Sequence, residues 1–269
     1  MKKTLLTAAF ISAIISLSSC EIYDPFYYID DQPPSPPTGI FVLNGDNRVD
    51  ISWMRNYEND VAGYNIYYSY SYDGKYTMIG FSNSNFFVDY GANNGVTYFY
   101  AVTAYDYNGN ESELSYDAVY STPRPEGFNQ AIFDFYKFPQ NAGYSFSEYL
   151  VVPYDGLSTD VFFENYNGTF YLDVWDDTDI QDMGLTQDIY DVPYAPTTGW
   201  SDTKDAFAQV GHTYVIWTWD NHFAKMRVES ITKERIVFDW AYQLVEGNAQ
   251  LKPKAKGTIR GKLKRSNRE

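Results

Sequence analysis

The chain has 269 residues, with 20 Lys and Arg against 35 Asp and Glu for a formal charge of −15, and an aromatic content of 19% led by 27 Tyr and 18 Phe. A surface this acidic excludes nucleic acid and other polyanions as partners. The length suits two ordinary domains, and abundant aromatic residues suit half-buried strands, so all-β is the expected class.

In chain order, Lys2 and Lys3 precede an apolar run from Leu5 to Leu17. It is too short for a comfortable membrane span and sits where a signal peptide sits. The run ends in Leu17-Ser18-Ser19-Cys20, which resembles the lipobox of bacterial lipoproteins. That resemblance implies cleavage of residues 1–19 between Ser19 and Cys20, and diacylglycerol on the Cys20 thiol. Cys20 is the only cysteine, so disulfides, thiolate catalysis and Cys-ligated zinc are excluded. Two or three acyl chains, at about 0.8 kcal/mol per buried methylene, make a stable anchor. The expected partner is thus a membrane, and the expected location the outer membrane, facing the surface rather than the periplasm.

Residues 20–37 carry the lipidated cysteine and five of the chain's twelve prolines, the composition of a stiff, extended spacer. From Thr38 the sequence breaks into strand-like runs at Gly39 to Leu43, Arg48 to Trp53, Gly63 to Tyr70, Lys75 to Gly80, Phe86 to Asp89, Val96 to Tyr105 and Glu113 to Tyr120. Several motifs stand out: Val49-x-Ile51-x-Trp53, Gly63-Tyr64-x-Ile66-Tyr67, and Thr97-Tyr98-x-Tyr100-x-Val102-x-Ala104-x-Asp106 followed by Gly109-Asn110-Glu111-Ser112. Over residues 38–123 the pattern resembles a fibronectin type III domain. The resemblance implies that Trp53 is the core tryptophan and Tyr98 the tyrosine corner. No Arg-Gly-Asp is present.

Past Pro123-Arg124-Pro125-Glu126-Gly127, residues 128–269 read as a second antiparallel sandwich or small barrel. Its runs are Ile132 to Phe138, Val161 to Phe163, Thr169 to Trp175, Thr213 to Trp219, His222 to Glu229, Arg235 to Gln243 and Gly257 to Leu263. A two-residue Asp220-Asn221 turn predicts a hairpin with Trp219 opposite His222, Trp217 opposite Ala224 and Val215 opposite Met226. This stretch resembles the C-terminal hairpin of surface lipoproteins of Bacteroidota, including HmuY-type haem-binding proteins. Haem binding would require two gripping histidines. The only two, His212 and His222, fall on opposite faces of that hairpin and roughly 24 Å apart, at about 3.4 Å per residue.

Asp173, Asp176, Asp177, Asp179 and Asp182 crowd ten residues. They offer hard oxygens to calcium, without the spacing of an EF-hand; the alternative is a solvated acidic loop. Trp200 in Pro196-Thr197-Thr198-Gly199-Trp200 could stack on a sugar ring. Lys252, Lys254, Lys256, Arg260, Lys262, Lys264, Arg265 and Arg268 form a basic tail, read as a solvated terminus. No Gly-x-Ser-x-Gly elbow, His-Glu-x-x-His helix or phosphate loop occurs. The expected protein is not an enzyme and takes no cofactor, calcium apart. It would be an envelope lipoprotein acting as a noncatalytic binding, adhesion or structural module for an unidentified protein or glycan, with a haem or metal carrier and a glycan-active hydrolase as the alternatives.

Overall fold

The computed structural model describes residues 30–251 and the backbone of 256–259 and 264–265. The signal segment, Ser19, Cys20 and most of the spacer lie outside the described residues, and the chain divides into two units, Met1–Asp31 and Gln32–Glu269. Among the described residues no helix is long and apolar enough to cross a membrane.

Seven strands build the first sandwich: β1 Phe41–Gly45, β2 Arg48–Ser52, β3 Val61–Ser69, β4 Lys75–Ser82, β5 Phe86–Asp89, β6 Tyr98–Asp106 and β7 Asp117–Ser121. One sheet has the order β1-β2-β5, and the other carries β7-β6-β3-β4, the fibronectin type III arrangement. Period-two burial explains the strands. In β2, Val49 and Ile51 are fully buried while Arg48, Asp50 and Ser52 are not. In β6, Tyr98, Tyr100, Val102 and Ala104 all enter one core with Trp53, Tyr64 and Ile66.

Trp53 meets Tyr64 edge to face, with ring centroids 5.1 Å apart. The Tyr98 hydroxyl accepts the N–H of Asn93 at 3.0 Å, five residues upstream, which is the tyrosine-corner geometry. The outer face of β6 is covered too: Phe99 and Ala101 pack with Tyr67, Tyr76 and Leu114. Glu111 fastens that cover by accepting from Tyr67 Oη at 2.7 Å and Thr103 Oγ1 at 2.6 Å.

Ten strands build the second sandwich: β8 Glu126–Phe133, β9 Gly143–Ser145, β10 Leu150–Val152, β11 Val161–Tyr166, β12 Thr169–Asp173, β13 Asp179–Leu185, β14 Asp205–Phe207, β15 His212–Trp217, β16 Phe223–Ile231 and β17 Arg235–Tyr242. Their sheets have the orders β10-β9-β11-β12-β14 and β13-β15-β16-β17-β8. Between them Tyr144, Phe146, Phe163 and Leu172 interdigitate with Tyr214, Ile216, Met226, Phe238 and Trp240. The outer face of the second sheet is covered by the connections around Val192, Ala195 and Leu251, which pack on Val215 and Phe223.

Three expectations are corrected. The acidic segment is not all loop: Asp179–Leu185 is a strand, because Ile180 is fully buried opposite Ile216. The β15–β16 hairpin is shifted by one residue, pairing Trp217 with Phe223, Ile216 with Ala224 and Val215 with Lys225. Its turn has three residues, not two: Asn221 N–H donates to the Thr218 carbonyl at 3.0 Å and Asn221 takes a φ of +62°, the three-residue hairpin with a residue in the left-handed region. A one-residue slip exchanges the faces of one strand relative to the other, so Tyr214 and Met226 share the core while Val215 and Lys225 share the outer face.

Third, the strand expected near the C-terminus does not join the second sandwich. β18, Lys256–Ile259, runs antiparallel to β7, and β19, Lys264–Arg265, runs parallel to β4, so the tail extends the larger sheet of the first sandwich at both edges. Pairing of this kind satisfies backbone groups that an open edge would leave exposed.

Candidate functional site

A cleft of about 390 Å³ opens at one end of the second sandwich, lined by Asp155, Gly156, Leu157, Thr159, Trp175, Asp176, Asp177 and Trp219. Its volume lies in the range of small-molecule sites, about 300–1,000 Å³. Three connections build it: residues 153–160 after β10, residues 174–178 between β12 and β13, and the β15–β16 turn.

Each connection is held by its own hydrogen bonds. Thr159 Oγ1 donates to the Pro153 carbonyl at 2.6 Å, closing the first loop. Thr178 N–H donates to the Trp175 carbonyl at 2.9 Å, making a turn that carries Asp176 and Asp177. Trp175 Nε1 donates to the Tyr154 carbonyl at 3.0 Å, and the indole stacks on Tyr154 and leans on Phe162 at centroid distances of 6.4 and 5.5 Å. The ring is therefore fixed, yet 42% of Trp175 remains exposed. At the hairpin tip, Thr218 Oγ1 donates to Asp220 at 2.6 Å and Gly247 N–H to the Asn221 carbonyl at 2.7 Å, which leaves Trp219 projecting and 58% exposed.

The first loop ends at Asp160, 2% exposed, whose carboxylate accepts the N–H of Phe146 at 2.7 Å. Burial pushes its carboxyl up to about 7; Asp220, Asp177 and Glu148 add to the rise, and the Phe146 bond opposes it.

The five aspartates singled out in the sequence are not gathered at one point. Asp173 ends β12 opposite Phe162 and Asp205, where burial pushes its carboxyl up to about 7, with Glu164 and Asp205 adding to it. Asp176 and Asp177 line the cleft. Asp179 pairs with Lys204 at 2.8 Å, and Asp182 meets His212 Nδ1 at 3.0 Å.

The histidines are held apart by different partners. His212 faces Asp182, whereas His222 Nδ1 donates to the Gln243 carbonyl at 2.9 Å, with its ring 5.4 Å from that of Tyr242. Trp200 packs against Trp217 and Phe223, at 5.8 and 6.4 Å, and does not line the cleft.

Sequence reasoning did not single out Trp175 and Trp219. A signal was present: each is followed directly by aspartate, in Trp175-Asp176 and Trp219-Asp220, at a strand exit.

No protein-family model matches the chain. It is 38% identical over 96 residues to an amylopullulanase of Thermoanaerobacterium thermosulfurigenes, and 36% identical over 96 residues to one of Thermoanaerobacterium saccharolyticum. Those matches cover 35% of this chain and only 5% and 7% of the two enzymes. Among solved structures, an Fn3-like protein from Clostridium thermocellum aligns at 28% identity and a TM-score of 0.28, over 31% of this chain and 88% of that one. A β-1,2-glucanase from Parabacteroides distasonis aligns at 26% identity and a TM-score of 0.30, over 34% of this chain and 14% of that one.

Proposed function

We propose that the protein is a noncatalytic, carbohydrate-associated accessory protein of the cell envelope, anchored through lipid on Cys20, in which the fibronectin type III sandwich presents the second sandwich to its target. The observation that carries the reading is the local likeness to amylopullulanases: 96 residues, 5% of the enzyme's length, is the size of one accessory domain and far too little for a whole catalytic apparatus. The second sandwich adds a concave surface with exposed indoles at its end, which is how sugar-binding surfaces are made. The lipobox and the proline-rich spacer suit attachment at a distance from a bilayer.

Two measurements test it. Cells fed an alkyne fatty acid should label the wild-type protein and not Cys20→Ala, and protease shaving of intact cells should remove the labelled protein. Full-length protein in detergent should co-sediment with insoluble neutral polysaccharide while releasing no reducing ends. Absence of label, or release of reducing ends by the pure protein, contradicts the proposal.

A further inference from the structure

We infer that the Trp175–Trp219 cleft is a binding site for a neutral hexose oligosaccharide, stacked on the two indoles and hydrogen-bonded by the aspartates at the rim. This inference rests on the carbohydrate-associated reading and names its site.

The two walls differ in origin but agree in chemistry. Trp175 is locked by its Nε1 bond to Tyr154 and by stacking, so its exposed face is already in place before a ligand arrives. A ring fixed in this way loses little conformational freedom on binding. Trp219 stands on a turn whose backbone is tied by Asn221, Thr218 and Gly247. A pyranose presents faces of C–H groups, which pack on indole faces, and edges of hydroxyls, which need acceptors. Asp155, Asp176 and Asp177 line the same cleft, and carboxylates are acceptor-only groups matched to hydroxyl donors. Leu157, fully exposed on the same loop, adds apolar contact at the lip.

Charge selects the class of sugar. With three aspartates at the cleft on a chain of net charge −15, uronate or sulfated glycans are repelled, and a neutral hexose chain is the glycan that loses nothing on entry. Trp200, by contrast, packs on Trp217 and Phe223 and does not line the cleft.

The test is a calorimetric and tryptophan-fluorescence titration of the full-length protein in detergent with neutral hexose hexamers of α-1,4, β-1,2, β-1,3 and β-1,4 linkage, beside a hexauronate and a quaternary ammonium compound. At least one neutral hexamer should bind saturably with a change in fluorescence. Trp219→Ala, at an exposed turn position that leaves the core intact, should weaken it about tenfold with an unchanged melting temperature, and Trp175→Phe should weaken it less; Trp200→Ala should bind as the wild type does. Unchanged binding in Trp219→Ala, or loss in Trp200→Ala alone, overturns the site and leaves the carbohydrate reading standing. Failure of the wild type to bind any hexamer overturns both, and preference for the hexauronate or the quaternary ammonium overturns the neutral-sugar assignment.

Discussion

Arg124 Nε donates to the carbonyl of Leu251 at 2.9 Å across 127 positions of sequence, with the whole arginine side chain buried. The same guanidinium meets Glu126 at 3.3 Å, and Glu126 also accepts from the Tyr190 hydroxyl at 3.1 Å. Arg124 N–H in turn donates to the Gly45 carbonyl at 3.3 Å. One residue therefore ties the end of β1 in the first sandwich, the start of β8 in the second and the segment that follows β17.

Removing this cation leaves a nearly buried carboxylate without its counter-charge, which typically costs about 3–5 kcal/mol. Arg124→Ala is therefore expected to lower the unfolding free energy by that order, read as a fall in the chemical denaturation midpoint, and to open the segment around residues 122–127 to protease. Unchanged proteolysis there would show that the junction is held by other contacts.

The raised carboxyls of Asp160 and Asp173 predict an unusual pH response. Unfolded carboxyls ionise near pH 4, whereas these two, folded, titrate near 7. Between those values the folded chain keeps protons that the unfolded chain has released. The resulting penalty is fully present above pH 7 and disappears as pH falls toward 4, so the two groups favour the fold on acidification. Asp173→Asn should add about 1–2 kcal/mol at pH 8 and little at pH 4. Equal gains at both pH values would contradict the assignment.

Tyr98→Phe removes the acceptor of the Asn93 N–H while keeping the ring in the core. The expected loss is about 1 kcal/mol, the net worth of one hydrogen bond. Phe238→Ala, by contrast, empties a fully buried site facing Tyr144 at 5.3 Å and should cost about 3–5 kcal/mol. Urea unfolding of both variants gives the comparison, and a Tyr98→Phe loss as large as that of Phe238→Ala would remove the tyrosine corner from its minor role.

Much of the first sandwich was legible because strands such as β2 bury alternate residues against one core, as Val49 and Ile51 do. The second sandwich hid more. Strands β9, β10 and β14 have three residues each, too few to display a period. β13 was masked by Asp179 and Asp182, whose carboxylates meet Lys204 Nζ and His212 Nδ1. The hairpin was recognised, but its register was not, because Asp220-Asn221 looks like a complete two-residue turn until Trp219 is counted in the loop. The same miscount concealed the cleft: pairing Trp219 with His222 makes it one more strand residue, whereas it stands in the turn and is 58% exposed.

The central claim, carbohydrate association without catalysis, is tested most directly by titrating the full-length protein with neutral polysaccharide while following reducing ends in the same sample. Saturable binding with no rise in reducing ends over the course of the titration is the expected result. No binding at any concentration, or a rise in reducing ends proportional to protein, would contradict it.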